Sequence, residues 1–296
     1  MPEGGWGHKP YTSIMGGRAV LAAILGAAVA AIAVSLAGRL PKPQDDIEWL
    51  QREDAVIVQM RASGGLPEPA AANLARVPDF TLYGDGTLIV TDPAERGQFD
   101  RGPLFETTLS SGAVADLLEY LGSTGFLDFN YEQPRLGYYD FPTTYLYVNT
   151  KQGANAVGAY ALEPDLPADL SAQWDQFRGL QAIKSRLDTI AAGALAGEAQ
   201  DYQPEAILLI VQPDHSKEAG PSPTEWPFPE LDLAAMLSDE AVGTRRVDGE
   251  TAQAVTATLR QAGTATFLHN GRAFSLGYRP VLPYEEHFPE FEAPQQ

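Results

Sequence analysis

The feature that most constrains this chain is a run of twenty uncharged residues, Ala19–Gly38. Its only polar side chain is Ser35, and Arg18 and Arg39 bracket it. At roughly 1.5 Å of rise per residue, a helix of this length spans about 30 Å, the thickness of the hydrocarbon core of a bilayer. The run therefore predicts a transmembrane helix at residues 19–38, preceded by an N-terminal tail at residues 1–18.

A cleavable signal peptide is the alternative, because Ser35-Leu36-Ala37 has the small-x-small pattern of a cleavage site. The apolar region of a signal peptide usually has about 7 to 15 residues, so the length favours a retained, single-pass anchor. Lys9 and Arg18 before the run are matched by Arg39 and Lys42 after it, and the positive-inside rule does not choose an orientation. We expect the body of the protein on the extracytoplasmic side of the cell membrane.

Small residues recur at four-residue spacing along the predicted transmembrane helix. Ala23, Ala27 and Ala31 form one series, and Gly26 and Ala30 form another. This spacing allows the backbone of a second helix to approach closely. It indicates packing against another membrane helix, although the many alanines could also reflect a GC-rich genome.

The charge of the chain is strongly acidic and unevenly distributed. The net charge is −19, with 39 acidic and 20 basic residues, and residues 1–42 contain four basic residues but only one acidic residue. Residues 43–296 therefore carry −22, which argues against a nucleic-acid partner, because no cluster of Lys and Arg is available for phosphates. There is no cysteine, so disulfides and thiolate catalysis are excluded.

Polar and proline-containing stretches divide the rest of the chain. We predict a linker at residues 39–53, a first α+β unit at residues 54–200, a second α+β unit at residues 201–286 and an acidic C-terminal tail at residues 287–296. Each unit alternates β-prone runs with amphipathic helices, which predicts an α+β fold of antiparallel sheets covered by helices.

Two helices are predicted from apolar periodicity. The first follows Ser110 or Ser111, either of which can cap it, and ends near Gly122. The second runs from about Ala168 to Ala192. The residues that form the two buried stripes are Val114, Leu117, Leu118 and Leu121 in the first helix, and Leu170, Trp174, Phe177, Leu180, Ile183, Leu187 and Ile190 in the second.

Glycine-containing turns connect several of the predicted strands. Gly84-Asp85-Gly86 separates FTLY from TLIV and predicts a hairpin turn, since a phosphate-binding loop would be followed by a helix. Asn270-Gly271 predicts a second turn, of type I′. The order strand, helix, hairpin occurs at residues 104–161 and again at residues 243–281, which raises the hypothesis of two related copies of one unit.

No catalytic constellation is recognisable. None of the four histidines has a second ligand at metal-binding spacing, and no Gly-x-Ser-x-Gly elbow is present. We therefore predict no catalytic residue, no cofactor and no metal ligand. Carboxylates that meet in space need no sequence signature, so an envelope-acting carboxylate hydrolase stays as the enzyme alternative.

Nine of the 28 aromatic residues fall between residues 126 and 160, and two proline-containing stretches, RLGYYDFP and EWPFPE, carry the candidate docking residues. The residues that we predict to bind a partner are Tyr138, Tyr139, Phe141, Trp226 and Phe228. Such rings supply much of the contact area in protein interfaces, and they would also suit a glycan. The alternative is that they are buried, with Trp226 closing the edge of the second unit's sheet.

Four motifs occur in a distinctive order: VPDFTLYGDGTLIV, TLSSGAVADLLEYLGSTGFLDF, FPTTYLYV and YRPVLPYEE. In this order, from about Asp54 to Glu286, the chain resembles a family of uncharacterised bacterial proteins. Many of its members are lipoprotein-like, with a Tyr-Gly-Asp-Gly-Thr hairpin and an Arg-Pro-x-Leu-Pro ending. The resemblance implies an extracytoplasmic location and no particular activity. The chain departs from the lipoprotein members because it has no cysteine and has a predicted helical anchor.

These features predict a membrane-anchored extracytoplasmic interaction or accessory subunit of a larger membrane protein assembly, with no catalysis of its own. Its predicted partners are the lipid bilayer and other membrane protein subunits, which it would contact through the transmembrane helix and the aromatic loops. The alternatives are the carboxylate hydrolase and a glycan-binding module.

Overall fold

The computed structural model describes residues 47–65, 70–92, 103–133, 140–162, 174–214, 223–237, 241–263 and 266–289. These residues belong to one compact unit built from antiparallel sheets and helices, so the α+β prediction is confirmed. The N-terminal tail and the predicted transmembrane helix lie outside the described residues. In the part of the chain that is described, no helix is long and apolar enough to cross a membrane.

The first sheet has seven strands. They are β1 (Val56–Gly64), β2 (Phe80–Tyr83), β3 (Thr87–Thr91), β4 (Leu104–Thr108), β5 (Pro142–Thr150), β6 (Gly153–Tyr160) and β7 (Gln200–Asp201). Their spatial order is β6-β5-β1-β2-β3-β4-β7, and every neighbouring pair is antiparallel. Val58, Leu82 and Leu88 lie opposite one another across the central strands and point into the same core.

Three helices accompany this sheet: α1 (Ala70–Leu74), α2 (Ser111–Ser123) and α3 (Trp174–Ala196). In α2, the Oγ atom of Ser110 accepts the N–H of Ala113 at 3.2 Å, which confirms the predicted cap. All four predicted apolar residues of α2 are buried. The predicted stripe of α3 is buried from Trp174 to Leu187, while Ile190 is half-buried and Leu170 lies outside the described residues.

The second sheet has five strands and carries helix α4 (Gly249–Ala262). The strands are β8 (Ala206–Pro213), β9 (Thr224–Glu225), β10 (Gly243–Asp248), β11 (Thr266–His269) and β12 (Arg272–Pro280). Their order is β10-β8-β12-β11-β9, and β9 pairs with β11 in parallel. The β11–β12 turn has φ of 52° at Asn270 and 73° at Gly271, so the I′ prediction is confirmed.

The two sheets do not have the same topology, although strand, helix and hairpin follow in the same order along both. In the first sheet the leading strand of the hairpin, β5, pairs with β1 and leaves β6 at the edge. In the second sheet the trailing strand, β12, pairs with β8, so β11 lies outside it. The first strand of one hairpin and the second strand of the other therefore join the rest of their sheets. This difference does not support the hypothesis of two related copies.

Two short segments connect the sheets. Helix α1 lies between β1 and β2 in the chain, and its Ala71 packs on Ile210 of β8 together with Ala75, which follows the helix. The segment after β12 returns to the first sheet, where Leu282 packs among Tyr83 and Ile89 on the face opposite α2 and α3. The body therefore has a separate core at each sheet and smaller apolar clusters where the sheets are joined.

Candidate functional site

The Gly84-Asp85-Gly86 segment is a structural turn. The N–H of Gly86 donates to the carbonyl of Tyr83 at 3.0 Å, and Asp85 accepts both the N–H and the hydroxyl of Thr87 at 2.9 Å. A Cβ on Gly84 would lie 1.8 Å from the carbonyl oxygen of Leu50, so the backbone there is closely covered. The turn prediction is confirmed, and the Asp85 carboxylate is engaged in holding the turn.

Trp226 belongs to the core of the second sheet. Its side chain is only 3% exposed, and its ring centroid lies 5.3 Å from that of Phe267 and 5.0 Å from that of Phe228. The backbone N–H of Trp226 donates to the carbonyl of Leu268 at 2.8 Å, which extends the pairing of β9 with β11. The structure therefore favours the buried alternative for Trp226, because packing against β11 removes its ring from the surface. Phe228 is half-buried beside it.

Of the remaining predicted partner-binding residues, Phe141 lies in the part of the chain that the structure describes, next to β5 of the first sheet. Phe141 is half-buried just before β5, and its N–H donates to the hydroxyl of Tyr160 at 3.2 Å. Tyr138 and Tyr139 lie outside the described residues. Because Phe141 adjoins β5 and Phe228 packs under the second sheet, the structure attaches the two predicted aromatic stretches to different sheets.

The predicted residues for membrane helix packing all lie outside the described residues. They are Ala23, Gly26, Ala27, Ala30 and Ala31. Their role in binding another helix stays a prediction.

Two motifs that carry the family resemblance meet in space. The hydroxyl of Tyr83, at the end of β2, donates to the carbonyl of Pro283 at 2.8 Å, and the hydroxyl of Tyr202 donates to that of Val281 at 3.2 Å. Leu282 between them is buried. The Tyr-Gly-Asp-Gly-Thr hairpin thus binds the Arg-Pro-x-Leu-Pro ending, and we call the contact of Tyr83 and Tyr202 with residues 281–283 the tyrosine clasp.

Glu285 closes the ending on itself beside the tyrosine clasp. Its Oε1 atom lies 2.6 Å from Nη1 of Arg279, and its Oε2 atom accepts the N–H of Leu282 at 3.1 Å. Burial raises the pKa of Tyr83 and of Tyr202 far above the usual value for a phenol, and nearby carboxylates add to the effect. Both hydroxyls therefore stay protonated and act as hydrogen-bond donors.

A cleft of about 410 Å³ lies between the C-terminal half of α3 and one end of the first sheet. This volume is within the range of small-molecule sites, about 300–1,000 Å³. The residues that line it are Met60, Ala62, Asp79, Thr91 and Thr144 from the sheet side, and Lys184, Asp188, Ala191, Ala192 and Leu195 from α3. The sheet residues lie where β1 and β3 end and where β2 and β5 begin, which places them at one end of the sheet.

The charged groups of the cleft have partners within the protein. The Nζ atom of Lys184 lies 2.8 Å from Oδ2 of Asp188 one helical turn away, and Oδ2 of Asp79 accepts the N–H of Ala62 at 3.0 Å. Thr144 is 1% exposed, and its Oγ1 has no hydrogen-bond partner among the described residues. The cleft therefore combines apolar side chains with buried threonine hydroxyls and three charged groups. Across the described ranges, no group of three or more His, Asp or Glu residues is placed to hold a metal ion.

The cleft arises from a change of side-chain size along α3, which the sequence analysis missed. The first half of the helix fills its contact with the sheet with Trp174 and Phe177, whereas the second half presents Ala191, Ala192 and Ala194. Small side chains leave space where a helix packs on a sheet. The signal for it in the sequence is the run AAGALAG at residues 191–197, which has one large side chain, Leu195, in seven residues.

Comparison of the chain with family models, with curated proteins and with solved structures finds no match in any of the three. The resemblance to the extracytoplasmic family therefore stays a prediction that depends on the order of the four motifs.

Proposed function

We propose that the protein is a membrane-anchored extracytoplasmic interaction or accessory subunit of a larger membrane protein assembly. The observation that carries the proposal is the uncharged run Ala19–Gly38, which is long enough to span a bilayer as a helix. Small residues at four-residue spacing within it suit a contact with a second helix. The resemblance to an extracytoplasmic family supports the side of the membrane.

The orientation is tested by adding protease to spheroplasts that carry the full chain with a C-terminal epitope. We expect loss of the epitope in intact spheroplasts, because the body would be outside the cytoplasm. A cytoplasmic marker protein should survive in the same sample and disappear only after lysis. Protection of the epitope until lysis would contradict the proposed orientation.

Partner binding through the membrane helix is tested by extraction in mild detergent and identification of the copurifying proteins. Replacing Gly26 and Ala30 with leucine should remove a partner that packs on that side of the helix. Ala28→Leu is the matched control. Ala28 lies two residues after Gly26, and at about 100° per residue its side chain is rotated by about 200° around the helix axis, onto the other side. A wild-type chain that is recovered alone and monodisperse would contradict the subunit proposal.

The aromatic loops are tested separately from the membrane helix. Replacing Tyr138 and Tyr139 with serine is expected to weaken partner binding with little change in melting temperature. Phe228→Ser should do the same if this half-buried ring contributes to docking. A fall of several degrees without loss of the partner would instead assign these rings to the core.

The cleft favours one second candidate, the envelope-acting carboxylate hydrolase. Asp79 and Asp188 both line a space large enough for a small substrate or a polymer end. If they act together, purified envelope polysaccharide should release soluble fragments with the wild-type chain, and either Asp→Asn variant should abolish the release. Lys184→Met is the control for loss of the ion pair alone. Absence of release by the wild type would remove this candidate.

A further inference from the structure

Strand β6 forms an unusually open edge of the first sheet. Among the described residues it pairs only with β5, and its sequence, GANAVGAY, contains no charged residue or proline. Ala154 and Ala156 are exposed. Edge strands are usually protected by charges, prolines or bulges, because their free N–H and C=O groups pair readily with other strands. The edge strand β10 of the second sheet follows that rule, since Arg245 and Arg246 are exposed on it.

The backbone groups that β6 presents outward can be identified from their neighbours. The N–H of Ala161 donates toward β5, to the carbonyl of Pro142 at 3.0 Å, whereas both backbone groups of Tyr160 bond to the side chain of Gln133 on the outer side. Successive residues of an antiparallel strand alternate in this direction. The N–H and C=O groups of Ala154, Ala156 and Gly158 therefore point outward as well.

Gln133 already binds this edge in the way a neighbouring strand would. Its Oε1 atom accepts the N–H of Tyr160 at 2.7 Å, and its Nε2 atom donates to the carbonyl of Tyr160 at 3.4 Å. A side-chain amide carries the same donor and acceptor as a peptide group. The interaction shows that an amide group can pair with the outer side of this strand at Tyr160, and it marks Gly158 as the end of the open stretch.

The segment that runs beside the open stretch carries two exposed carboxylates. The segment before Gln133 is fixed to β6 by Asn155, whose Nδ2 atom donates to the carbonyls of Phe126 at 2.7 Å and Phe129 at 3.1 Å. This segment carries Asp128 and Glu132, both exposed. At the other end of β6, Lys151 is already paired with Glu48 at 2.9 Å.

We propose that β6 binds an extended, Lys- or Arg-containing segment of a partner protein, which adds a strand to the first sheet along Ala154–Gly158. Backbone pairing would supply the affinity, and the carboxylates of Asp128 and Glu132 would select a basic segment. The inference rests on the proposed function, because it states the chemistry of the partner. Its test does not require a membrane partner, so the two proposals can fail separately.

The probe is a fluorescent decapeptide that alternates Val or Thr with Lys, and binding to the full chain in detergent is followed by anisotropy. We expect binding that weakens at least about ten-fold when alternate peptide nitrogens are methylated, because two or more backbone bonds are lost. A peptide with Glu in place of Lys should also bind at least about ten-fold more weakly at low salt. Hydrogen exchange at the amides of Ala154, Ala156 and Gly158 should slow on binding.

The decisive variant is Ala156→Pro, which removes one outward N–H without breaking a β5–β6 hydrogen bond. We expect at least about a ten-fold loss of peptide affinity at an unchanged melting temperature. Thr244→Pro is the matched control on β10. The N–H of Gly249 donates to Glu205 toward β8, so alternation directs the N–H of Thr244 outward, and this variant should bind the peptide normally.

If Ala156→Pro unfolds the protein, the combined variant Asp128→Asn and Glu132→Gln tests the same site without altering the strand. It should lower the affinity for the basic peptide and flatten its salt dependence. Equal binding of the methylated and unmethylated peptides would overturn the proposal. Self-association of the chain that Ala156→Pro abolishes would overturn it too, because a second copy would then occupy the edge.

Discussion

Replacing Tyr83 with phenylalanine should weaken the attachment of the C-terminal segment to the first sheet. The Tyr83 side chain is 1% exposed, and its hydroxyl donates to the carbonyl of Pro283 at 2.8 Å. Phenylalanine keeps the ring in place, so no large cavity forms, but the carbonyl loses its donor in a buried position. An acceptor left unsatisfied in this way costs about 1–3 kcal/mol. We expect the free energy of unfolding to fall by about that amount.

Two further Tyr→Phe variants calibrate the Tyr83 result. Tyr202→Phe removes a longer bond, 3.2 Å to the carbonyl of Val281, and should cost less than Tyr83→Phe. Tyr284→Phe removes a bond of 2.8 Å to Glu53, but this hydrogen bond is exposed to solvent, so no measurable change is expected. The three variants change the same chemical group and differ in burial.

The measurement is urea unfolding of the full chain in detergent, followed by tryptophan fluorescence. The midpoint should fall for Tyr83→Phe at an unchanged m-value. In thermal unfolding, each kcal/mol corresponds to about 2–4 °C for a body of this size. If Tyr83→Phe has the wild-type midpoint, or if Tyr284→Phe shifts it more, the tyrosine clasp does not hold the segment and the reasoning is refuted.

Trp226→Ala should lower the free energy of unfolding by about 3–5 kcal/mol, because it leaves a cavity in the core of the second sheet. Trp226→Phe should cost much less. Equal effects of the two variants in urea unfolding would contradict the placement of the Trp226 ring in this core. Gly84→Ala should destabilise the body by about 1–3 kcal/mol or more, because the added Cβ would collide with the backbone at Leu50. Gly193 lies within α3, and a Cβ added there would contact nothing. Gly193→Ala should therefore stabilise the body by up to about 1 kcal/mol. The contribution of Tyr83 and Tyr202 to stability should not change below about pH 10, where unfolded tyrosines stay protonated. It should fall above that pH, because their raised pKa values oppose ionisation only in the folded state. The double Tyr→Phe variant should show a shallower fall in melting temperature between pH 9 and about pH 11.

Local signals in the sequence were sufficient for the elements that depend on near neighbours. The cap at Ser110, the turn at Asn270-Gly271 and the buried stripe of α2 each involve residues within a few positions of one another. Their geometry follows from backbone conformation and helical periodicity. For this reason the strands and helices were predicted more accurately than their arrangement in the sheets.

Contacts between distant residues could not be predicted from the sequence. Trp226 and Phe228 are predicted as docking residues, yet both rings pack on the second core, where Trp226 also contacts Phe267 of β11. Strand β9 ends at Glu225, before Trp226, so the two rings turn toward each other and pack 5.0 Å apart on the second core. The cleft was missed for a related reason, since it depends on which end of the first sheet α3 covers.

The tyrosine clasp gives the family-like motifs a structural meaning that can be tested by a double-mutant cycle. Tyr83 binds the carbonyl of Pro283, while Glu285 binds both Arg279 and the N–H of Leu282, so the two side chains hold the same turn. Removing either should loosen the turn and weaken the contact of the other. Tyr83→Phe combined with Glu285→Gln should therefore cost less than the sum of the single variants, by about 0.5–3 kcal/mol. Additive effects in urea unfolding would mean that the hairpin and the ending are held independently, and that the two motifs do not act as one structural unit.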